Sequence, residues 1–188
     1  QFLLFVGKLE RNKGAHLLPE LLMAVRNAGI EPPPLLIAGD GALETPLRNE
    51  LSARGLRHQF LGGWINHDAV LRLMREAEAL LFPSAWGEPL SRVLLEACAV
   101  GACVVAMNTG GTSDMIVPDV SGVLVNNATA AGQALAALLH DPARRTQLRT
   151  GAQRIARERF AAQIVAAQME RLYADILAAP QRHSGKQA

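Results

Sequence analysis

The sequence predicts an α/β fold: a parallel sheet of about six strands with helices on both faces, then a helical C-terminal segment. Three observations carry that prediction. Short apolar runs alternate with longer stretches of helical period. The runs are continuous rather than alternating, as strands covered on both faces require. Glycines gather just after the runs (Gly7, Gly39, Gly41, Gly62, Gly63, Gly110, Gly111), at the edge where open parallel sheets bind ligands.

The first run, FLLFVG from Phe2, leads into a polar turn bounded by Gly7 and Gly14. PLLIAG from Pro34 is the second, and the helix after it sets Leu47 and Leu51 on one face. HQFLG from His58 is the third, followed by a helix with Val70, Leu71 and Met74 on one face. His67-Asp68 reads as the loop and cap before that helix, and Asp40 as a helix or turn cap. ALLFP from Ala79 comes next. Pro89 suits the first position of the following helix, with Glu88 as its cap. CVVA from Cys103 and GVLV from Gly122 complete the strands, and right-handed crossovers join them in a Rossmann-like arrangement. From about Ala130 the pattern is wholly helical. Ile155, Ala162, Val165, Met169, Leu172 and Ile176 are spaced 7, 3, 4, 3 and 4, one apolar stripe on a long closing helix. Pro180 ends that helix, so one domain is expected over residues 1–179, with 180–188 a flexible tail.

Composition excludes several classes. With 49% hydrophobic and 19% charged residues the chain can bury a core and is no disordered polymer. No run approaches the roughly 18 apolar residues of a membrane helix, and the start lacks the basic region of a signal peptide. A formal charge of +2 gives no nucleic-acid footprint. Cys98 and Cys103 are too few for a disulfide scaffold or a zinc site and sit in apolar runs, so they read as buried thiols in a reducing, cytoplasmic compartment. Residues 141–171 carry seven Arg against three acids; a solvated helical face is the favoured reading, and peripheral contact with anionic lipid at the inner membrane face the alternative. The chain does not begin with Met, and its first apolar run starts at residue 2. A piece of something longer, cut close to a strand, is expected.

Chemistry concentrates in two places. Of the 19 basic residues three are Lys, and Lys8 and Lys13 both fall in the first glycine-bounded turn. There is no Walker signature and no Gly-x-Gly-x-x-Gly; two compact ammonium groups at the binding edge suit a diphosphate. The second place is Glu88 to Glu96. Glu96 stands alone in the apolar run Val93 to Val100, where a carboxylate is costly without a partner. It is either half of a buried ion pair or an acceptor for a ligand's hydroxyls. Eight helical residues would separate the Glu88 and Glu96 backbones by about 12 Å, beyond the roughly 5–9.5 Å between carboxyl groups that glycoside hydrolysis uses. The histidines show no ligand spacing and no Asp-x-Asp occurs, so no metal or other cofactor is expected.

Taken in order, these motifs resemble the C-terminal half of glycosyltransferase family 4, retaining enzymes of GT-B fold that move sugars from nucleotide-sugar donors. Gly7-Lys8 and Lys13-Gly14 are similar to the family's Gly-Arg and Lys-Gly pair, Leu36 to Gly41 and Phe60-Leu61-Gly62 to its next two strand ends, and Glu88 and Glu96 to its two glutamates. Gly110-Gly111 and Gly122 to Val125 are similar to the segments that follow. The resemblance implies catalytic roles for Glu88 on the donor sugar's hydroxyls and for Lys8 and Lys13 on the diphosphate. Donor binding would fall to Gly7, Gly39, Trp64, Ile65, Pro89, Leu90, Ser91 and Glu96, the last on the ribose. It also implies a sugar or lipid-linked acceptor and a separate N-terminal domain, without which this half would turn over nothing. Lys8 stands for the usual Arg, Ser91 for a Gly and Asp114 for a Glu, and donor choice and affinity are where these departures would tell; Cys103 stands for a usual Pro and is expected to affect only local packing. A non-catalytic nucleotide-sugar-binding module, one chain of a two-chain transferase and a GT-B epimerase are the competing readings.

Overall fold

The computed structural model describes residues 1–87 and 89–178. Glu88 and the expected tail, with its helix stop at Pro180, lie outside the described residues. All six predicted strands form: β1 Leu3–Val6, β2 Leu35–Ala38, β3 His58–Gly62, β4 Ala79–Phe82, β5 Val104–Met107 and β6 Val123–Val125. They make one wholly parallel sheet in the order β3-β2-β1-β4-β5-β6. The order reverses between β1 and β4, which opens a crevice beyond their carboxyl ends.

Successive strand residues feed opposite faces. Leu3, Phe5, Leu35, Ile37, Leu81 and Val105 enter one core with α1 (Leu18–Asn27), α2 (Glu44–Ala53) and α6 (Ala128–His140). Leu4, Leu80, Phe82, Val104 and Ala106 enter the other, with α3 (His67–Glu76), α4 (Arg92–Val100) and the short α5 (Thr112–Met115). Burial on both sides accounts for the unbroken apolarity of the runs; each fully buried Leu contributes on the order of 1.5–3 kcal/mol. Leu47 and Leu51 are buried in α2, as is Met74 in α3, with Val70 and Leu71 packed beside it.

Four local expectations are corrected. Helix α4 begins at Arg92, not at Pro89: Ser91 is the N-cap, with extended backbone (φ −99°, ψ 116°), and its carbonyl accepts the Leu95 N–H at 3.1 Å. Tertiary bonds hold Ser84 to Trp86 in a loop. The Asn12 carbonyl accepts from Ser84 Oγ, Ala85 N–H and Trp86 N–H at 3.2, 3.0 and 3.1 Å, and Thr109 Oγ1 donates to the Ser84 carbonyl. Second, the closing helix is broken: α7 (Pro142–Ile155) runs into a π-helical turn at Ala156–Phe160, Ala161 is extended (ψ 139°), and α8 spans Ala162–Ala178. Ile155 is buried, whereas Val165, Met169, Leu172 and Ile176 on α8 are exposed. Third, the cap of α3 is Asn66, whose Oδ1 accepts from the Asp68 and Ala69 amides. Fourth, α2 starts at Glu44 with Leu43 in the cap position, and the Asp40 carboxylate lies instead where any side chain at Gly63 would stand.

Among the described residues four of the seven C-terminal arginines are engaged within the protein, Arg154 only through a long 3.9 Å pair with Glu158 on the surface. Arg144 pairs with Asp119 at 2.7 Å, Arg145 pairs with Glu78 at 2.8 Å, and Arg149 donates to the Arg75 and Ala77 carbonyls. Among the described residues no helix is long and apolar enough to cross a membrane.

Cys98 and Cys103 are fully buried free thiols, and burial pushes both pKa values up to about 11. At pH 7.5 the thiolate fraction is then on the order of one in three thousand, and no reagent can reach it in the folded state. Native protein should take up no alkylating agent over an hour, and two equivalents once unfolded in guanidinium. Fast native labelling, read by mass, would contradict the packing around α4 and β5.

Candidate active site

The crevice at the β1/β4 reversal is a cavity of about 530 Å³. Val6, Gly7, Lys8 and Lys13 line it from β1 and the loop beyond, Ile65, His67 and Val70 from the start of α3, and Phe82, Leu90, Ser91, Arg92, Val93 and Glu96 from the end of β4 and α4. A second cavity of about 410 Å³ adjoins it across Glu96, between α4 and the π-helical turn. Its walls are apolar except for Glu96 and Arg157.

Backbone contacts fix the lysine-bearing loop. Gly7 N–H donates to the Ala38 carbonyl at 3.0 Å, Leu9 N–H to the Asp40 carbonyl at 2.7 Å and Leu43 N–H to the Leu9 carbonyl at 2.9 Å, so β2 and its loop brace the turn from one side. Asn12, through the three donors it accepts, ties the other side to the end of β4. Gly39 belongs to this bracing rather than to the cavity wall, because a Cβ there would stand 1.9 Å from the Gly7 carbonyl oxygen. His16, behind the loop, is partly buried; desolvation first, then the charge of Arg11, lowers its pKa, and Glu50 opposes them.

Of the eleven candidate residues the cavity gathers seven: Gly7, Lys8, Lys13, Ile65, Leu90, Ser91 and Glu96. Trp64 is fully exposed and not among the residues lining the cavity. Pro89 is in the loop before α4, its carbonyl packed where a Cβ on Gly111 would be. Gly39 sits behind, as described, and Glu88 lies outside the described residues. Glu96 is only half-buried, and among the described residues it makes no ion pair. Of the two readings of Glu96 the buried ion pair is not found among the described residues, and the residue's position on α4 opens to the cavity. Lys8 is exposed and Lys13 partly buried.

Two polar residues of the wall are not among the candidate site residues: Arg92, and His67, which reads in the sequence as the loop and cap before α3. The signal for Arg92 was available: it stands four residues before Glu96, one helical turn away on the same face. Counting the described groups, Lys8, Lys13 and Arg92 against Glu96 leave the cavity with two positive charges in excess, suited to an anionic ligand that also carries hydroxyls. Among the described residues no group of three or more His, Cys, Asp or Glu could hold a metal ion.

Sheet order and cavity together define an open Rossmann-like α/β domain with a cationic cleft at its switch point. The chain belongs to the group 1 glycosyl transferases, whose family profile matches residues 1–155. It is 35% identical over 144 residues to the glycogen synthase of Mycobacterium tuberculosis, covering 75% of this chain and 34% of that protein. Among solved structures it resembles the Anabaena protein HepE in complex with UDP (TM-score 0.80, 24% identity, 93% of this chain and 48% of that one). It also resembles the C-terminal domain of a group 1 family protein from Francisella tularensis (TM-score 0.76, 18% identity, 86% of each chain). The chain spans about a third of the length of the curated relatives it matches.

Proposed function

We propose that this chain is the donor-binding, C-terminal half of a family 4 glycosyltransferase of GT-B fold, and that the whole protein transfers a hexose from a nucleotide-diphosphate sugar to a sugar or lipid-linked acceptor with retention. The observation that carries the reading is the convergence of Lys8, Lys13 and Glu96 on one cavity at the switch point. The bound HepE complex supports it by analogy of fold.

In this reading the donor's diphosphate lies against Lys8 and Lys13, and Glu96 accepts hydrogen bonds from the ribose hydroxyls. Charge builds on the departing diphosphate as the glycosidic bond breaks. Cations already in place stabilise that charge without a covalent step, and no metal is invoked. Glu88 and the loop through Ser91 would hold the sugar's hydroxyls, leaving the leaving-group face open for same-side attack. The acceptor would come from a second domain outside residues 1–179, so this half alone should bind donor and turn over nothing. The buried thiols suit the cytoplasm as its compartment.

Calorimetric titration with UDP, GDP and ADP tests the assignment. A hydrogen bond to a charged group is worth on the order of 1.5–3 kcal/mol, so Glu96→Ala and Lys13→Ala should each weaken the preferred nucleotide about tenfold or more. A nucleotide that binds wild type and both variants equally would place the site elsewhere.

A further inference from the structure

The first turn of α4 breaks a local rule. Its N-terminal end carries partial positive charge, which favours an acid nearby and disfavours a cation. Yet the turn holds no acidic residue and no side-chain cap, and its first residue is Arg92. Arg92 makes no ion pair or hydrogen bond within the described residues. Beside it Ser91 is 4% exposed, and its hydroxyl is likewise without a partner there. Both residues line the cavity opposite Lys8 and Lys13, and a helical side chain leans toward its helix's N-terminus, here out over the cavity mouth.

A cation that costs its own helix stability, next to a buried serine whose hydroxyl makes no bond among the described residues and facing two further cations, is explained by an anion between the walls. Resting on the donor-binding reading above, we infer that Arg92 is a third diphosphate contact, gripping the phosphates from α4 with the Ser91 hydroxyl while Lys8 and Lys13 hold them from the β1 loop. A guanidinium offers a planar two-donor fork that neither lysine can. Arg92 would therefore set the preference for a diphosphate over a nucleoside lacking it.

The test titrates the wild-type chain, Arg92→Gln, Arg92→Lys and Lys13→Ala with UDP, GDP, ADP, the three parent nucleosides and inorganic pyrophosphate. Arg92 is exposed, so Arg92→Gln should fold normally, with a melting temperature equal to or above wild type. Expected is a loss of about tenfold for the preferred nucleoside diphosphate and for pyrophosphate, partial recovery in Arg92→Lys, and unchanged nucleoside binding. Unchanged diphosphate affinity in Arg92→Gln alongside a loss in Lys13→Ala would overturn the role of Arg92 and leave the donor site standing. Equal losses for nucleoside and diphosphate would also overturn it. If no nucleotide binds wild type at millimolar concentration, the donor-site reading falls and this inference with it.

Discussion

Replacing Gly14 by alanine is expected to destabilise the protein by about 4 kcal/mol and, on the donor-binding function proposed above, to abolish nucleotide binding together with it. Two separate costs add. Gly14 has φ 72°, a left-handed conformation that costs an L-residue with a side chain on the order of 1–2 kcal/mol. It is also buried, and a Cβ built on it would stand 1.8 Å from the Pro83 carbonyl oxygen and 2.5 Å from its carbon. Both partners are backbone, so no rotamer change relieves the overlap; the β1 loop and the end of β4 must separate. That separation breaks the contacts that place the site. Asn12 lies two residues before Gly14 and accepts from Ser84, Ala85 and Trp86, and Lys13 is its immediate neighbour. Gly55→Ala isolates the first cost, because Gly55 has φ 62° with nothing within 4 Å of a built Cβ; it should lose about 1 kcal/mol. For a chain of this size each kcal/mol lowers the melting temperature by roughly 2–4 °C, so the two variants should separate by about 10 °C, with urea midpoints in the same order. Equal losses would mean that the β1 loop does not press on β4 as drawn.

The strands and the β1 loop were legible in the sequence because the physics there is local and repeated. Burial on both faces demands unbroken apolar runs, and the first four runs end at a glycine or proline. What could not be read depends on contacts distant in sequence. Pro89 has the backbone for a helix start, but the carbonyl of Asn12, more than seventy residues away, and the hydroxyl of Thr109 tie down Ser84 to Trp86, and helical backbone starts only after the extended Ser91. The stripe from Ile155 to Ile176 keeps helical spacing across the step from 155 to 162, so nothing in the period reveals the π-helical turn or extended Ala161; neither Pro nor Gly marks the break. Trp64 was grouped with Ile65 as its neighbour in sequence, yet one side chain faces solvent and the other the cavity. Arg92 was passed over because, among 16 Arg and three Lys, the two lysines paired in one turn drew the reading. Helical phase relative to Glu96 was the better guide.

The second large effect lies at the far edge of the sheet. Arg145 Nη2 meets Glu78 Oε2 at 2.8 Å with side chains only 12% and 16% exposed, and Arg145 Nη1 donates to the Leu138 and Leu139 carbonyls near the end of α6. Glu78 directly precedes β4, and its N–H donates to the Phe2 carbonyl at 2.8 Å. One guanidinium thus joins the end of α6, the first turn of α7 and the entrance of the central strands. Removing one member of such a pair leaves the other charge poorly solvated, which costs more than the pair itself contributes. Arg145→Met should lose about 3 kcal/mol, since two helix-end carbonyls lose their donor as well, and Glu78→Gln about 2 kcal/mol. Because each single variant strands the other's charge, the double variant should lose less than the sum, by about 1–2 kcal/mol in a denaturation cycle. On the proposed function, nucleotide affinity should not change in any of the three, since Glu78 stands at the amino end of β4 and the cavity at its carboxyl end. Strict additivity would show that the two side chains do not share a desolvated contact. A loss of nucleotide binding at a temperature where the fold persists would show that the sheet transmits strain from one edge to the other.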